Sequence, residues 1–154
     1  MQFDDMARKV IEEECEDYFL GIADLSHTKQ FTDEQYASLI VIYPRAVSIG
    51  ITLPPKTIEN SLPSNSVVYN EINNQLNTIT VYLSNLLEQE GYKTLAVPNT
   101  GRMDNGIFVS LHKLAAISAD LGRIEKNMVV TPEVGPGVNW GTVLTDAPIG
   151  VMIK

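Results

Sequence analysis

A chain of 154 residues with 11 Lys plus Arg against 19 Asp plus Glu carries a formal net charge of −8. That balance excludes a nucleic-acid backbone as partner, because phosphate binding needs clustered basic side chains. A single cysteine, Cys15, excludes both an intrachain disulfide and any cysteine-ligated metal centre held by this chain alone. With 44% hydrophobic and 19% charged residues the chain reads as one globular domain over 1–154, and a domain of this size buries roughly 70% of its unfolded surface.

The first residues, Met1-Gln2-Phe3-Asp4-Asp5, lack the basic start and apolar run of a secretory signal. No stretch approaches the roughly 18 apolar residues of a membrane span, so the expectation is a cytoplasmic protein with no membrane partner. Phe3, Met6, Ala7, Val10, Ile11 and Tyr18 recur at helical spacing and predict a first helix. Cys15 stands among Glu13, Glu14, Glu16 and Asp17, which disfavour its thiolate. Phe19–Leu25 fits a strand, and Thr32 with Gln35 marks the start of a second helix. Ala46–Leu53 fits a second strand that Pro54-Pro55 ends.

The longest element is predicted over Val67–Glu90, with Val68, Ile72, Leu76, Ile79, Leu83 and Leu86 as its apolar stripe. Asn73, Asn74, Gln75 and Asn77 lie largely off that stripe, and Gly91 ends the helix. A strand over Tyr92–Val97, a loop from Pro98 to Gly106 and a helix over Val109–Leu121 closed by Gly122 follow. Asn127–Thr131 and Val138–Leu144 read as strands around the Pro/Gly turn 132–137. Interspersed helices and strands imply an α/β domain, a sheet covered by helices.

No zinc pattern, phosphate-binding loop or dinucleotide fingerprint is present, and His27 and His112 have no ligand-like neighbour at helical spacing. The densest region for function is Gly101–Asp146, where glycines beside strands let a backbone approach a flat ligand or else serve tight turns. Here Ser110-Leu111-His112-Lys113-Leu114-Ala115-Ala116 through Leu121-Gly122-Arg123-Ile124-Glu125-Lys126-Asn127 resembles a segment of epoxyqueuosine-reductase-like and reductive-dehalogenase-like iron–sulfur proteins. Val129-Val130-Thr131-Pro132-Glu133-Val134-Gly135-Pro136 and Gly141–Pro148, with its Thr-Asp-Ala-Pro turn, are similar to the same family. So are Gly21–Leu25, Tyr43–Val47 and Glu88–Tyr92.

The resemblance implies a nitroreductase-like fold, α/β in the α+β sense, with a mixed sheet flanked by helices. In relatives a ferredoxin module with two four-iron clusters follows this domain, and cobalamin-dependent members cradle the corrinoid on it. Carried over, it implies that His112, Lys113, Gly122, Lys126, Asn127, Thr145 and Asp146 face a cofactor, cobalamin or flavin. Asp104 is the nearest candidate for the family's acidic proton donor, although its spacing requires a gap; otherwise it caps a loop turn. His112 is otherwise a satisfied structural residue. No iron–sulfur cluster is expected in this chain, because it ends at Lys154, where the cysteine module would begin.

Two family glycines are replaced by Asp120 and Glu125, and a tryptophan by Arg123. Burying these charges unpaired against an apolar ring would cost several kcal/mol, so they pair with one another or solvent, or the cofactor site is lost. Three roles follow: a non-catalytic binding or regulatory domain, with a homodimer as one form; a corrinoid- or flavin-binding reductase domain fed by a separate ferredoxin-type donor; or a fragment of a longer iron–sulfur reductase.

Overall fold

The computed structural model describes residues 3–27, 34–53, 67–99, 107–126 and 128–149. The elements run in the order α1 (Phe3–Glu14), β1 (Tyr18–Asp24), a 3-10 turn at Leu25–His27, α2 (Glu34–Ile42) and β2 (Arg45–Thr52). Then come α3 (Val67–Gln89), β3 (Thr94–Val97), α4 (Ile107–Ser118), β4 (Arg123–Glu125), β5 (Met128–Val130) and β6 (Val138–Thr145). Four strands form one sheet in the order β1-β2-β6-β3, and β4 with β5 forms a separate hairpin. Every pairing among these strands is antiparallel.

Helices cover both faces of the sheet, as the α/β reading requires. On one face Val47, Ile49, Ile51 and Val143 pack against Phe3, Ala7 and Ile11 of α1 and Ile72, Leu76, Ile79, Leu83 and Leu87 of α3. On the other, Ala23, Ala46, Val97 and Leu144 meet Leu111 and Ala115 of α4, with Leu39 and Ile40 of α2 alongside. A third cluster joins Ala116 to Val129, Val138 and Trp140, with Phe19 tilted against the indole at 5.9 Å. The strands β2 and β6 are therefore enclosed on both sides, and nearly every residue in them is buried.

The α3 stripe differs in detail from expectation. Leu87 rather than Leu86 is fully buried, and Asn73 is buried as well. A straight helix has 3.6 residues per turn, so a stripe through 72, 76, 79 and 83 continues to 87. Both α3 and α4 end in the same cap. Tyr92 N–H bonds Leu87 O and Gly91 N–H bonds Glu88 O, with Gly91 at φ 94°. Leu121 N–H bonds Ala116 O and Asp120 N–H bonds Ile117 O, with Asp120 at φ 62°. This is the paired 6→1 and 5→2 pattern of a left-handed helix end. Gly122 therefore does not close α4, as the sequence suggested; Asp120 does.

The expectation placed Tyr18 in the first helix and no strand at Arg123–Glu125. Tyr18 opens β1 instead, its hydroxyl donating to Glu12 Oε2 at 2.6 Å and accepting from Arg8 at 3.3 Å. The proposed cap at Thr32, the Pro54-Pro55 stop and the loop 100–106 lie outside the described residues.

Gly50 sits where β2 passes under the indole. A Cβ there would lie 2.7 Å from both Trp140 Cζ3 and Val138 Cγ1. Gly50→Ala is expected to destabilise the fold by about 1–3 kcal/mol through overpacking, read as a lower urea midpoint with an unchanged slope.

Candidate functional site

The residues that the resemblance marks do not gather at one place. They fall into three groups along β6, whose eight residues span about 24 Å at strand rise. His112 stands over its middle, Thr145 and Asp146 mark its C-terminal end, and Gly122 and Lys126 belong to the hairpin packed near its start.

His112 is buried on α4, 8% exposed. Its Nε2 lies 3.0 Å from Pro98 O and its Nδ1 2.8 Å from Thr142 Oγ1. A carbonyl has no proton to give, so Nε2–H donates to Pro98 O and Nδ1 accepts from the Thr142 hydroxyl. The ring thus joins α4 to β6 and to the chain leaving β3. Lys113 is half-buried beside it.

At the far end, the fully buried Thr145 hydroxyl donates to Lys93 O at 2.8 Å and accepts from Ala147 N–H at 3.1 Å. Asp146 Oδ1 accepts Lys93 N–H at 2.9 Å, and Asp146 N–H reaches Lys93 O at 3.3 Å. Arg45 Nη1 donates to the carbonyls of Asp146 and Ala147 at 3.3 and 3.4 Å. The Thr-Asp turn is therefore a clamp between β6, the start of β3 and β2. Thr131 does similar work in the Pro/Gly turn, its hydroxyl donating to Gly135 O and accepting Val134 N–H.

Gly122 is close to other backbone, but the backbone belongs to this chain. A Cβ there would sit 2.8 Å from Val130 O and 2.9 Å from Val129 Cγ1. Asp120, Arg123 and Glu125, where the sequence departs from the pattern it resembles, are exposed rather than buried. Arg123 Nη2 donates to Glu125 Oε2 at 3.3 Å, with side chains 65% and 52% exposed. An ion pair so exposed is worth about 0–1 kcal/mol, and no desolvation penalty arises. Lys126 is exposed in the turn of the hairpin at φ 52°. Asp104 and Asn127 lie outside the described residues.

A polar network was not legible in the sequence. Asn73 Oδ1 accepts from Asn139 Nδ2, and Asn77 Oδ1 accepts Asn99 N–H at 3.0 Å. Asn99 Nδ2 donates to Trp140 O at 2.7 Å, and Trp140 N–H bonds Asn139 Oδ1 at 3.2 Å. The spacing of Asn73 and Asn77, four apart and near the stripe, is the one local sign of it. Beside this network Trp140 Nε1, Asn99 Oδ1 and Ser48 Oγ are buried without a hydrogen-bond partner among the described residues.

Among the described residues no group of three or more His, Cys, Asp or Glu is placed to hold a metal, and no helix is long and apolar enough to cross a membrane. Cys15 is half-buried, and burial, then Glu14 and Asp17, push its thiol pKa up.

No protein-family model matches this chain, and no curated protein does. Among solved structures it is similar to a catabolic reductive dehalogenase at TM-score 0.56 and 17% identity, over 84% of this chain and 19% of that one. A second reductive dehalogenase, described with a mechanism for B12-dependent dehalogenation, matches at TM-score 0.55 and 17% identity over the same shares, 84% and 19%. Epoxyqueuosine reductase from Bacillus subtilis matches at TM-score 0.53 and 15% identity, over 95% of this chain and 46% of that one. At such identities the likeness is one of fold, and the chain spans less than half of each of these proteins.

Thr145→Val is expected to cost about 1–3 kcal/mol by leaving the Ala147 amide unpaired, whereas Thr145→Ser keeps the clamp and costs less; thermal unfolding of both variants checks this. At Asp120 a left-handed non-glycine costs roughly 1–2 kcal/mol, and glycine returns about 0.4–1 of that as unfolded-state entropy. Asp120→Gly is accordingly expected to stabilise by roughly 0.5–1 kcal/mol in urea denaturation.

Proposed function

We propose that this chain is a domain related in fold to iron–sulfur reductases that serves a binding or regulatory role in the cytoplasm and completes no reaction on its own side chains. The observation that carries this reading is the Lys93–Thr145–Asp146 clamp. Polar groups at positions where the resemblance implies a cofactor already bind the chain to itself. His112 adds to it, because both ring nitrogens have intrachain partners. At Gly122 the room beside the backbone is taken up by Val130 O. These residues do not fit a resident corrinoid or flavin.

A second reading draws on the likeness to a dehalogenase described as B12-dependent. In it the chain is the corrinoid- or flavin-binding part of a reductase, and electrons arrive from a separate ferredoxin-type partner. Lys113, Lys126, Asn127 and Asp104 would then supply what the clamped residues do not. The 46% coverage of epoxyqueuosine reductase supports a third, that the chain is a piece of a longer iron–sulfur reductase.

The test is direct. The purified protein is mixed with hydroxocobalamin or with flavin mononucleotide and then desalted. The expected outcome is protein free of chromophore and free cofactor with an unchanged spectrum. Co-elution of either cofactor with a shifted absorption band would overturn the first reading in favour of the second.

A further inference from the structure

The sheet ends differently on its two sides. On one side β3 is only four residues long, and beyond Val97 side-chain amides replace a strand. Asn99 serves the carbonyl of Trp140 and Asn139 serves its N–H. Short edges and side-chain cover are ordinary ways to keep a sheet from adding another chain.

On the other side β1 runs for seven residues, Tyr18–Asp24, each paired with β2 without a bulge. Thr52 N–H bonds Asp17 O and Leu25 N–H bonds Pro44 O, both in the β1–β2 register. The odd-numbered residues therefore turn their backbone groups toward β2. Alternation along a strand leaves the N–H and C=O of Tyr18, Leu20 and Ile22 facing outward. Among the described residues no strand pairs with that edge. It carries no proline, no lysine and no charge before Asp24. Phe19, Leu20 and Ile22 are only partly buried along it, while the paired residues Ile49 and Val47 of β2 are buried.

We propose that β1 pairs antiparallel with β1 of a second copy about a twofold axis at Gly21, so that two four-stranded sheets become one. This inference does not depend on the cofactor reading. The strand is self-complementary in that register: Leu20 falls opposite Ile22, Phe19 opposite Ala23, and Gly21 opposite itself. Leu20 and Ile22 exchange both hydrogen bonds, and Gly21 takes the non-hydrogen-bonded site, where Cα atoms approach to about 4.5 Å. Charge selects the register in a protein of net charge −8. Here Glu16 faces Ser26 and Asp17 faces Leu25, so no two carboxylates meet. A slip of one pair in one direction sets Glu16 against Asp24, and directly opposed like charges are destabilising. The same slip in the other direction sets Asp24 against Leu20.

A junction of two seven-residue strands lies at the low end of interface sizes, below roughly 1,200 Å², so the dimer is reversible and concentration-dependent. Sedimentation velocity over a dilution series from about 1 to about 200 µM, the range of a small interface, should show monomer passing to dimer. Ile22→Pro removes an outward N–H and leaves the β2 ladder intact, so it should raise the dimer dissociation constant about tenfold or more with an unchanged far-UV spectrum. A monomer at every concentration, or a dimer that Ile22→Pro leaves intact, overturns the proposal. Should that variant not fold, hydrogen exchange of the native protein decides. Leu20 and Ile22 amides that exchange more slowly at the concentrated end support the pairing, and rates independent of concentration overturn it.

Discussion

Enclosure of β2 and β6 on both faces is the constraint from which most of the remaining structure follows. Neither strand has a wet side, so each polar atom on it must find a partner within the protein or stay unpaired at a cost of about 1–3 kcal/mol. Thr142 and Thr145 are fully buried and meet the condition through His112, Lys93 and Ala147. Ser48 and Trp140 Nε1 do not meet it among the described residues. The helices above inherit the same condition. A histidine on the buried face of α4 is tolerated because a threonine and a carbonyl await its two nitrogens.

That condition gives a physical meaning to the stretches that resemble iron–sulfur reductases. Arg45, His112, Thr145 and Asp146 each tie together segments distant in sequence, and Thr131 closes the turn at 131–135. A fold that depends on such ties retains those residue types whether or not a cofactor lies nearby. Where the sequence departs from the pattern it resembles, the residue is either solvated, as at Arg123 and Glu125, or carries backbone strain, as at Asp120.

The elements were legible where local rules govern. The α3 helix follows from its 3.6-residue period, and β2 and β6 follow from apolar runs ended by proline or turn residues. The β4 strand, Arg123–Glu125, was not legible, because three exposed residues carry no burial pattern. The end of α4 was misplaced because a nearby glycine suggests a helix stop, while the left-handed position falls two residues earlier, on an aspartate. The apolar stripe does not foretell the burial of Asn73, because its partner, Asn139, is 66 residues away. The resemblance marks a set of residues but not a place, because helical or strand spacing does not report which end of β6 each one reaches.

The position of β6 also governs how the chain can assemble. It follows β1, β2 and β3 in the chain, yet it lies between β2 and β3, and its register with β2 joins Arg45 to Thr145 across 100 residues. Loops that long make sheet closure slow compared with local helix formation. Until residues 138–145 leave the ribosome, β2 has a bare apolar edge and β3 has no strand partner among the described residues. Sheet closure thereby waits on residues 138–145, and the nascent chain passes through a state whose open strand invites aggregation or the hold of a chaperone.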